Sequence, residues 1–309
     1  MIYKQKAIVL IESPLQLLNS LEALGFFSIR KAKVIIRLNS NNNNNSQIKK
    51  VLYLLQGHDV TLIKISSEQK KINDYVKSLK ICLNFIFFSF LDYKCFIGNY
   101  ESKIFNLFKK FIPKKKIILL DDGTKTLAIQ SKFTEKHFYS FFTCFDLKVK
   151  KNQTIFKNDY NLIRNLKFNN KKSIPLSCFL GSPLSEKNIM DEQAYINILK
   201  RYLEKYSLNR KLIYLPHRFE NEIKLKRVSD LGYTVMRTKY PVELLPIMKN
   251  LNIKHVTSFY STALILMPKI YNVRATSLKF NFKNAFNADD ISDIYKYFDL
   301  CSFIDLLDV

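Results

Sequence analysis

The sequence has no tryptophan, six glycines and five cysteines, and these shortages exclude several classes of protein. Its glycines form neither a GxGxxG dinucleotide fingerprint nor a phosphate-binding P-loop. The cysteines are scattered and never form a CxxC pair, which argues against a disulfide framework or a zinc site and favours a reducing compartment. The most apolar run, residues 81–91, is shorter than the roughly 20 residues of a spanning helix, and no signal peptide is evident. The sequence therefore predicts a soluble or peripheral protein.

Acidic residues are also scarce beside basic ones: 26 Asp and Glu face 50 Lys and Arg, for a formal net charge of +24. A field of that sign attracts polyanions, namely nucleic acid, anionic lipid, or phosphorylated and acidic sugars. The sequence has neither zinc-finger spacing nor an RRM-like aromatic signature, so no nucleic-acid partner is expected. A solvated basic surface and a basic face on an anionic membrane remain as interpretations.

Short apolar runs alternate with segments of helical spacing, which predicts an α/β fold with doubly wound parallel sheets. The run at 6–13 reads as a buried strand, with Ser13 capping the helix that follows it. A second series of this kind begins at 176–183, after an irregular stretch at 124–170. We therefore expect two Rossmann-like domains, 1–170 and 171–309, that face each other across a cleft. Further expectations are a mobile polar loop at 39–46, a helix near 68–80 and a helical C-terminal tail.

Three polar clusters follow predicted strands, at the position where open α/β sheets bind ligands. Each cluster alone is more often a turn, a loop histidine or a helix cap. Their ordered occurrence in both halves of the chain favours a functional site. They are Asp121, Asp122 and Gly123; Pro216, His217, Arg218 and Glu220; and Ser258, Ser261 and Thr262.

The clusters of the second half suit a phosphate-bearing ligand. Hydroxyl and N–H groups of Ser261 and Thr262, at the start of a predicted helix, can hold a phosphate. His217 is a proton donor, or a cationic partner, for the departing phosphate oxygen. Arg218 either adds charge or pairs with Glu220 and fixes the loop.

The acidic cluster of the first half supplies a base for the same chemistry. Asp122 could deprotonate an attacking hydroxyl, so the clusters together describe sugar transfer from a phosphate-linked donor. The sequence contains no Asp-x-Asp motif and no cluster of histidines with carboxylates. We therefore expect neither a metal ion nor another cofactor.

Five segments together resemble the bacterial lipooligosaccharide sialyltransferases of the two-Rossmann GT-B architecture, which share short motifs with the bacterial polysialyltransferases. They follow the order of that family and extend from residue 12 to residue 267. The histidine motif departs from many relatives, because Arg218 rather than a proline follows His217. The segments are ESPLQLL (12–18), LLDDGT (119–124), FLGSPLSE (179–186), YLPHRFE (214–220) and FYSTALILM (259–267).

The resemblance implies a CMP-linked sialic acid as donor. It implies that His217 is the general acid or a phosphate ligand and that Ser261 and Thr262 bind the phosphate. Gly181 opens the donor domain in the Gly-x-Pro segment, and Pro216 fixes the strand end before the histidine. Donor binding is thus expected at these residues and at Arg218, Glu220 and Ser258.

The resemblance also implies inverting, metal-independent transfer, with two places for the catalytic base. One is the acidic motif, here Asp122, and the other is a carboxylate shortly after the Gly-x-Pro segment, here Glu186 or Asp191. We favour Asp122 because it ends a predicted strand, with Glu186 second.

The acceptor is expected on the first domain. Position alone assigns Ser13, Gln16 and the 39–46 loop to this side, beside Asp121 and Gly123. The acceptor would be a cell-surface glycan such as lipooligosaccharide.

Several alternatives remain open. Within enzymes these are a polysialyl or capsule transferase and a transferase for pseudaminic or legionaminic acid. Outside enzymes the alternative is a basic adaptor that binds anionic glycan or nucleic acid. The basic charge favours peripheral attachment to the cytoplasmic face of the bacterial inner membrane. A homodimer is an open alternative to a monomer.

Overall fold

The chain forms two compact units, Met1–Ile163 and Arg164–Val309, whereas the sequence placed the boundary after residue 170. The computed structural model describes residues 5–55, 58–66, 93–133, 139–148, 150–166, 174–206, 212–282 and 285–309. The helix predicted near 68–80 lies outside the described residues.

The first unit is built on a parallel sheet of seven described strands in the order β3-β2-β1-β4-β5-β6-β7. The order reverses direction between β1 and β4, which makes their carboxyl ends the switch point of this sheet. The strands are β1 (Lys6–Ile11), β2 (Lys31–Leu38), β3 (Asp59–Ser66), β4 (Tyr93–Ile97), β5 (Ile117–Leu120), β6 (Ser140–Thr143) and β7 (Ile155–Lys157). The helices are α1 (Pro14–Phe26), α2 (Asn42–Leu52), α3 (Lys103–Lys109), α4 (Lys125–Lys132) and α5 (Asn161–Arg164).

Local sequence explains how the first strand leads into the first helix. The five residues Ala7–Ile11 are buried, as expected for a central parallel strand. The Ser13 side chain then accepts a hydrogen bond from the Gln16 backbone N–H, and Pro14 occupies the first turn. The chain therefore turns into α1 directly after β1, which places Glu12 to Gln16 at the sheet edge.

Two predictions for the first unit were wrong. The asparagine run at 39–46 is not a loop throughout, because α2 begins at Asn42 and the Asn41 side chain caps it. Asn44 is buried and donates from Nδ2 to the Glu12 backbone oxygen at 3.0 Å, so tertiary contacts hold this polar run in a helix. The irregular stretch at 124–170 contains α4, β6 and β7, whose strands are too short to show a periodic pattern.

The second unit contains a parallel sheet of six described strands in the order β10-β9-β8-β11-β12-β13, with its switch point between β8 and β11. The strands are β8 (Leu176–Leu180), β9 (Leu212–Leu215), β10 (Thr234–Val235), β11 (Ile253–Ser258), β12 (Arg274–Lys279) and β13 (Ile304–Asp308). The helices are α6 (Glu192–Tyr206), α7 (Glu222–Asp230), α8 (Leu245–Met248), α9 (Ala263–Tyr271) and α10 (Ala288–Asp299). Short 3-10 turns lie at Tyr53–Leu55, Lys114–Lys116 and Val242–Leu244.

The prediction of a helical C-terminal tail was wrong for the last residues. The helix α10 ends at Asp299, and Ile304–Asp308 pairs in parallel with β12 as an edge strand. The apolar residues at 304, 306 and 307 fit the helical spacing of the preceding residues. They form a strand instead because β12 is available for pairing at the edge of the sheet. Among the described helices, none is long and apolar enough to cross a membrane.

Candidate active site

A half-buried carboxylate lies at the switch point of the first sheet. Glu12 follows β1, and its carboxylate accepts hydrogen bonds from Arg37 Nη1 at 2.9 Å, Asn99 Nδ2 at 2.9 Å and Ser102 Oγ at 2.5 Å. These three donors follow or end neighbouring strands, so Glu12 ties the ends of β1, β2 and β4 together. Glu12 was not among the predicted site residues, although it opens the segment ESPLQLL and is the first residue after the first strand.

The amide of Gln16 holds Asp122 at this edge. Gln16 Nε2 donates to Asp122 Oδ1 at 2.5 Å, while Gln16 Oε1 accepts from the Glu12 backbone N–H at 2.7 Å. The second bond fixes which end of the amide faces the aspartate, because only oxygen can accept it. Gln16 is 2% exposed. Its orientation is therefore set by buried contacts at both ends.

The backbone at Gly98 leaves the space that Gln16 occupies. A Cβ atom at this position would lie 2.6 Å from Gln16 Cβ and 2.7 Å from Gln16 Cγ. Only glycine permits this approach between the end of β4 and α1.

The two aspartates of the acidic motif have different surroundings. Asp121 is buried, and its Oδ2 accepts from the Cys144 backbone N–H at 2.8 Å, which makes it part of the structural frame. Asp122 is half-buried and its backbone N–H donates to Thr126 Oγ1 at 2.9 Å. Gly123 follows with a φ of 69°, a left-handed conformation that favours glycine. The turn thus presents Asp122 rather than Asp121 at the sheet edge.

In the second unit, His217 follows β9 and is partly buried. Its Nδ1 accepts a hydrogen bond from the Phe219 backbone N–H at 3.3 Å, which assigns the proton of the neutral ring to Nε2. Burial, together with the nearby cations Arg218, Lys187 and Lys224, lowers the pKa of His217 from 6.5 to about 3. His217 is therefore neutral near pH 7 and presents an N–H donor at Nε2.

A buried ion pair lies beneath the histidine loop. The Lys224 side chain is 0% exposed, and its Nζ lies 2.9 Å from Glu220 Oε1. Lys224 Nζ also donates to the Ser182 backbone oxygen at 3.0 Å and contacts Glu186 Oε2 at 3.2 Å. Burial raises the pKa of Glu220, and Lys224 opposes that rise. The sequence left two roles open for Arg218, added charge or a pair with Glu220. Lys224 was not predicted, although a lysine four residues after Glu220 is a signal for an ion pair.

Gly181 brings the end of β8 against the same carboxylate. A Cβ atom on Gly181 would lie 2.0 Å from Glu220 Oε2 and 2.7 Å from the Tyr214 hydroxyl oxygen. The Gly181 backbone N–H donates to the Leu215 oxygen at 2.8 Å, just before Pro216 leads the chain away from the strand. Gly181 and Pro216 are thus placed together at the ends of neighbouring strands.

The carboxylates of Glu186 and Asp191, which follow the Gly-x-Pro segment, accept backbone hydrogen bonds at helix starts. Glu186 Oε1 accepts from the Asn221 backbone N–H at 3.1 Å, at the start of α7. Burial raises the pKa of Glu186, but hydrogen bonds and Lys224 outweigh it, so the pKa is lowered overall. Asp191 Oδ1 accepts from the Ala194 backbone N–H at 3.1 Å, at the start of α6.

The three hydroxyl residues at the end of β11 have different environments: Ser258 is buried, whereas Ser261 and Thr262 lie at the start of α9. Ser258 is buried and donates from Oγ to the Leu180 oxygen at 2.8 Å, which ties β11 to β8 at the switch point. Ser261 Oγ accepts from the Ala263 backbone N–H at 3.3 Å, and Thr262 is the N-cap residue of α9. Ser261 and Thr262 are partly exposed at this helix start. The part of the chain that the structure describes contains no group of three or more His, Cys, Asp or Glu that could hold a metal ion.

Solved structures that match this two-sheet fold include glycosyltransferases of the GT-B type. The GT-B domain of a sialyltransferase from Photobacterium damselae matches with a TM-score of 0.53 and 9% identity, over 98% of this chain and 100% of that chain. An α/β-galactoside α-2,3-sialyltransferase from Photobacterium phosphoreum matches with a TM-score of 0.54 and 13% identity, over 98% and 99%. Arabidopsis thaliana UGT89C1, complexed with UDP-L-rhamnose, matches with a TM-score of 0.56 and 10% identity, over 100% and 86%. These matches confirm the predicted two-domain α/β fold of the GT-B type.

The family model of Glycosyltransferase family 52 matches residues 128–282, just over half of the chain, and the chain belongs to this family. No curated protein sequence matches. The chain is therefore a glycosyltransferase, as its motifs predicted.

Proposed function

We propose that the protein transfers sialic acid, or a related nonulosonic acid, from a CMP-linked donor to a hydroxyl of a cell-surface glycan such as lipooligosaccharide. Transfer would proceed with inversion and without a metal ion. The observation that carries this proposal is the neutral, cation-surrounded His217 at the carboxyl end of β9, in a chain of Glycosyltransferase family 52. The nearby cations would stabilise a negatively charged ligand at this loop, and the ligand would accept a hydrogen bond from the Nε2–H of His217.

The donor phosphate would determine the protonation of His217. Burial and the nearby cations Arg218, Lys187 and Lys224 hold its pKa at about 3 in the protein without ligand. A bound phosphate has the opposite charge, so it raises the pKa of the imidazole. When the bond between the sugar anomeric carbon and the phosphate oxygen breaks, that oxygen receives the electron pair. Neutral His217 would donate a hydrogen bond from Nε2 to the departing phosphate. If the bound phosphate has first caused the ring to take up a proton, the imidazolium would deliver one proton and return to the neutral form.

The start of α9 would complete the phosphate site. Ser261 and Thr262 lie at this helix start, where hydroxyl and backbone N–H groups favour anions. Arg218 would add positive charge from the histidine loop and contact the carboxylate of the sugar. An arginine here, in place of the proline common in relatives, makes the identity of the nonulosonic acid the part of the proposal to test first.

Asp122 is the proposed base that accepts the proton of the acceptor hydroxyl. Its Oδ1 accepts from the neutral Gln16 amide at 2.5 Å, and this bond orients the carboxylate. Glu186 is the weaker candidate because Lys224 and Asn221 bind both of its oxygens and its pKa is lowered. Ser13 caps α1, so its proposed contact with the acceptor would be made through the position of Gln16.

CMP release is the experiment that tests this function. The protein would be incubated with a panel of CMP-linked nonulosonic acids, with lactose as acceptor and EDTA present, and with UDP-sugars as controls. We expect CMP release from at least one CMP sugar, undiminished by EDTA. Release from N-acetylneuraminic acid donor alone defines a sialyltransferase, and release from another member changes only the sugar. Elongation of oligosialic acid would favour the polymerising alternative. No release, with salt-dependent binding to anionic polymers, would favour the adaptor.

We further propose that the protein works at the cytoplasmic face of the inner membrane. The formal charge of +24 supports this location, because each Lys or Arg near an anionic surface contributes about 1 kcal/mol. Flotation with vesicles of anionic lipid should show binding that salt removes. Equal recovery with neutral and anionic vesicles would contradict it.

A further inference from the structure

We propose that Lys224 is a positioning residue of the donor site, which joins the loops after β8 and β9 and thereby holds His217 in place. The kinetic part of this inference rests on the proposed function, whereas its structural part does not. Lysine is almost never fully buried unless it is paired. Here the side chain is 0% exposed and lies on α7, beneath the loop that carries His217.

The connection from Lys224 to His217 passes through Glu220. Lys224 Nζ lies 2.9 Å from Glu220 Oε1, and the other oxygen, Oε2, accepts from the His217 backbone N–H at 2.7 Å. The Tyr214 hydroxyl donates to Glu220 Oε1 at 2.6 Å. The ammonium group therefore compensates the buried carboxylate that fixes the backbone of His217.

The same ammonium group holds the loop after β8. Lys224 Nζ donates to the Ser182 backbone oxygen at 3.0 Å and contacts Glu186 Oε2 at 3.2 Å. The Ser182 backbone N–H donates to the Tyr195 hydroxyl at 3.1 Å, and Lys224 Nζ lies 3.7 Å from the Tyr195 ring centroid. One charged group thus bridges two loops that follow adjacent strands of the sheet.

Close packing at Gly181 explains why the contacts of Lys224 control the position of the loop that carries His217. Glu220 Oε2 would lie 2.0 Å from a Cβ atom on Gly181, so the carboxylate fits directly over the backbone of the first loop. If the ion pair is lost, Glu220 has neither a countercharge nor room to move toward Gly181. The loop that carries His217 must then shift.

A purely structural ion pair would behave differently from a positioning one. Replacement of both partners of a buried ion pair by neutral groups often leaves stability unchanged, while loss of one partner leaves an uncompensated charge. The test therefore compares Lys224→Met, Glu220→Gln and the double variant. Lys226→Met is the matched control, since Lys226 is exposed on the same helix.

The expected result separates stability from position. Both single variants should lower Tm, and the double variant should recover most of that loss. In the double variant, kcat for CMP release should still fall by roughly 10- to 100-fold, with donor KM changed much less, because His217 no longer meets the phosphate in the productive geometry. The Lys226→Met control should match the wild type in both. A folded double variant with wild-type kcat would overturn the proposal.

Amide hydrogen exchange gives a readout that does not depend on the reaction. Backbone amides at 181–186 and at 217–221 should exchange faster in the double variant, and unchanged exchange at both loops would also overturn the proposal. If the wild type releases CMP from no donor, the proposed function fails, and the exchange experiment still decides whether Lys224 joins the two loops.

Discussion

The two units hold their candidate catalytic groups by different means. In the first, the neutral amide of Gln16 orients Asp122, and in the second a buried ion pair, Lys224 with Glu220, supports His217. The amide of Gln16 is neutral, so this hydrogen bond itself adds no positive charge that would weaken the carboxylate as a base. Burial and the nearby cations keep the histidine neutral until an anion binds. The difference matches a base in the first unit and an anion-binding group in the second.

The largest expected effect comes from removing His217. We expect His217→Ala to reduce CMP release by about 10²- to 10⁴-fold, because the departing phosphate loses its hydrogen bond and proton donor. The backbone N–H that binds Glu220 remains in this variant, so the fold should persist. Circular dichroism and Tm serve as the control for folding. A variant that keeps wild-type turnover would make the assignment of His217 wrong.

The next comparison separates the candidate bases. Asp122→Asn should lower kcat by a factor of about 10² or more with little loss of Tm, because it retains the shape but not the base. Glu186→Gln should lower Tm instead, since Lys224 and the start of α7 lose a charged partner. Steady-state kinetics with thermal unfolding checks both variants. The reverse pattern would assign the base to Glu186.

Two glycines pack against the residues that hold the candidate catalytic groups: Gly98 against Gln16, and Gly181 against Glu220. Gly98→Ala would place a Cβ atom 2.6 Å from Gln16 Cβ, and Gly181→Ala would place one 2.0 Å from Glu220 Oε2. Each should reduce turnover by roughly tenfold or more, through Asp122 and His217 respectively, since small displacements of catalytic groups are costly.

Gly25→Ala is the matched control for these substitutions. Its Cβ would meet only Leu162 Cδ1 at 3.7 Å, an ordinary contact, and alanine is favoured inside a helix by about 0.5–1 kcal/mol. Turnover should therefore be unchanged and Tm slightly raised. Equal losses of turnover in all three variants would show that the effect is general rather than specific to these contacts.

The sequence predicted the sheets and the residues at the strand ends better than the side-chain contacts that hold those residues in place. Apolar runs such as 6–11 and 31–38 indicate buried strands because each is a local pattern. These contacts depend on distant residues: Gln16 meets Asp122, and Lys224 meets Ser182, across gaps that no local pattern reveals. The strand β13 was missed for the same reason, because its partner β12 decides between strand and helix.

The smallest effect concerns stability at acid pH. The pKa of His217 is about 3 in the folded protein against an ordinary 6.5, so between these values the unfolded chain binds a proton at this site that the folded chain does not. The free energy of unfolding should therefore fall as the pH falls through this range. His217→Asn removes the group, so its stability should fall less between pH 7 and pH 4 than that of the wild type. Urea unfolding at several pH values measures the two slopes. Equal slopes would mean that the pKa of His217 is not lowered in the folded protein. Burial and the nearby cations would then not keep His217 neutral, and this contrast between the second unit and the first would be lost.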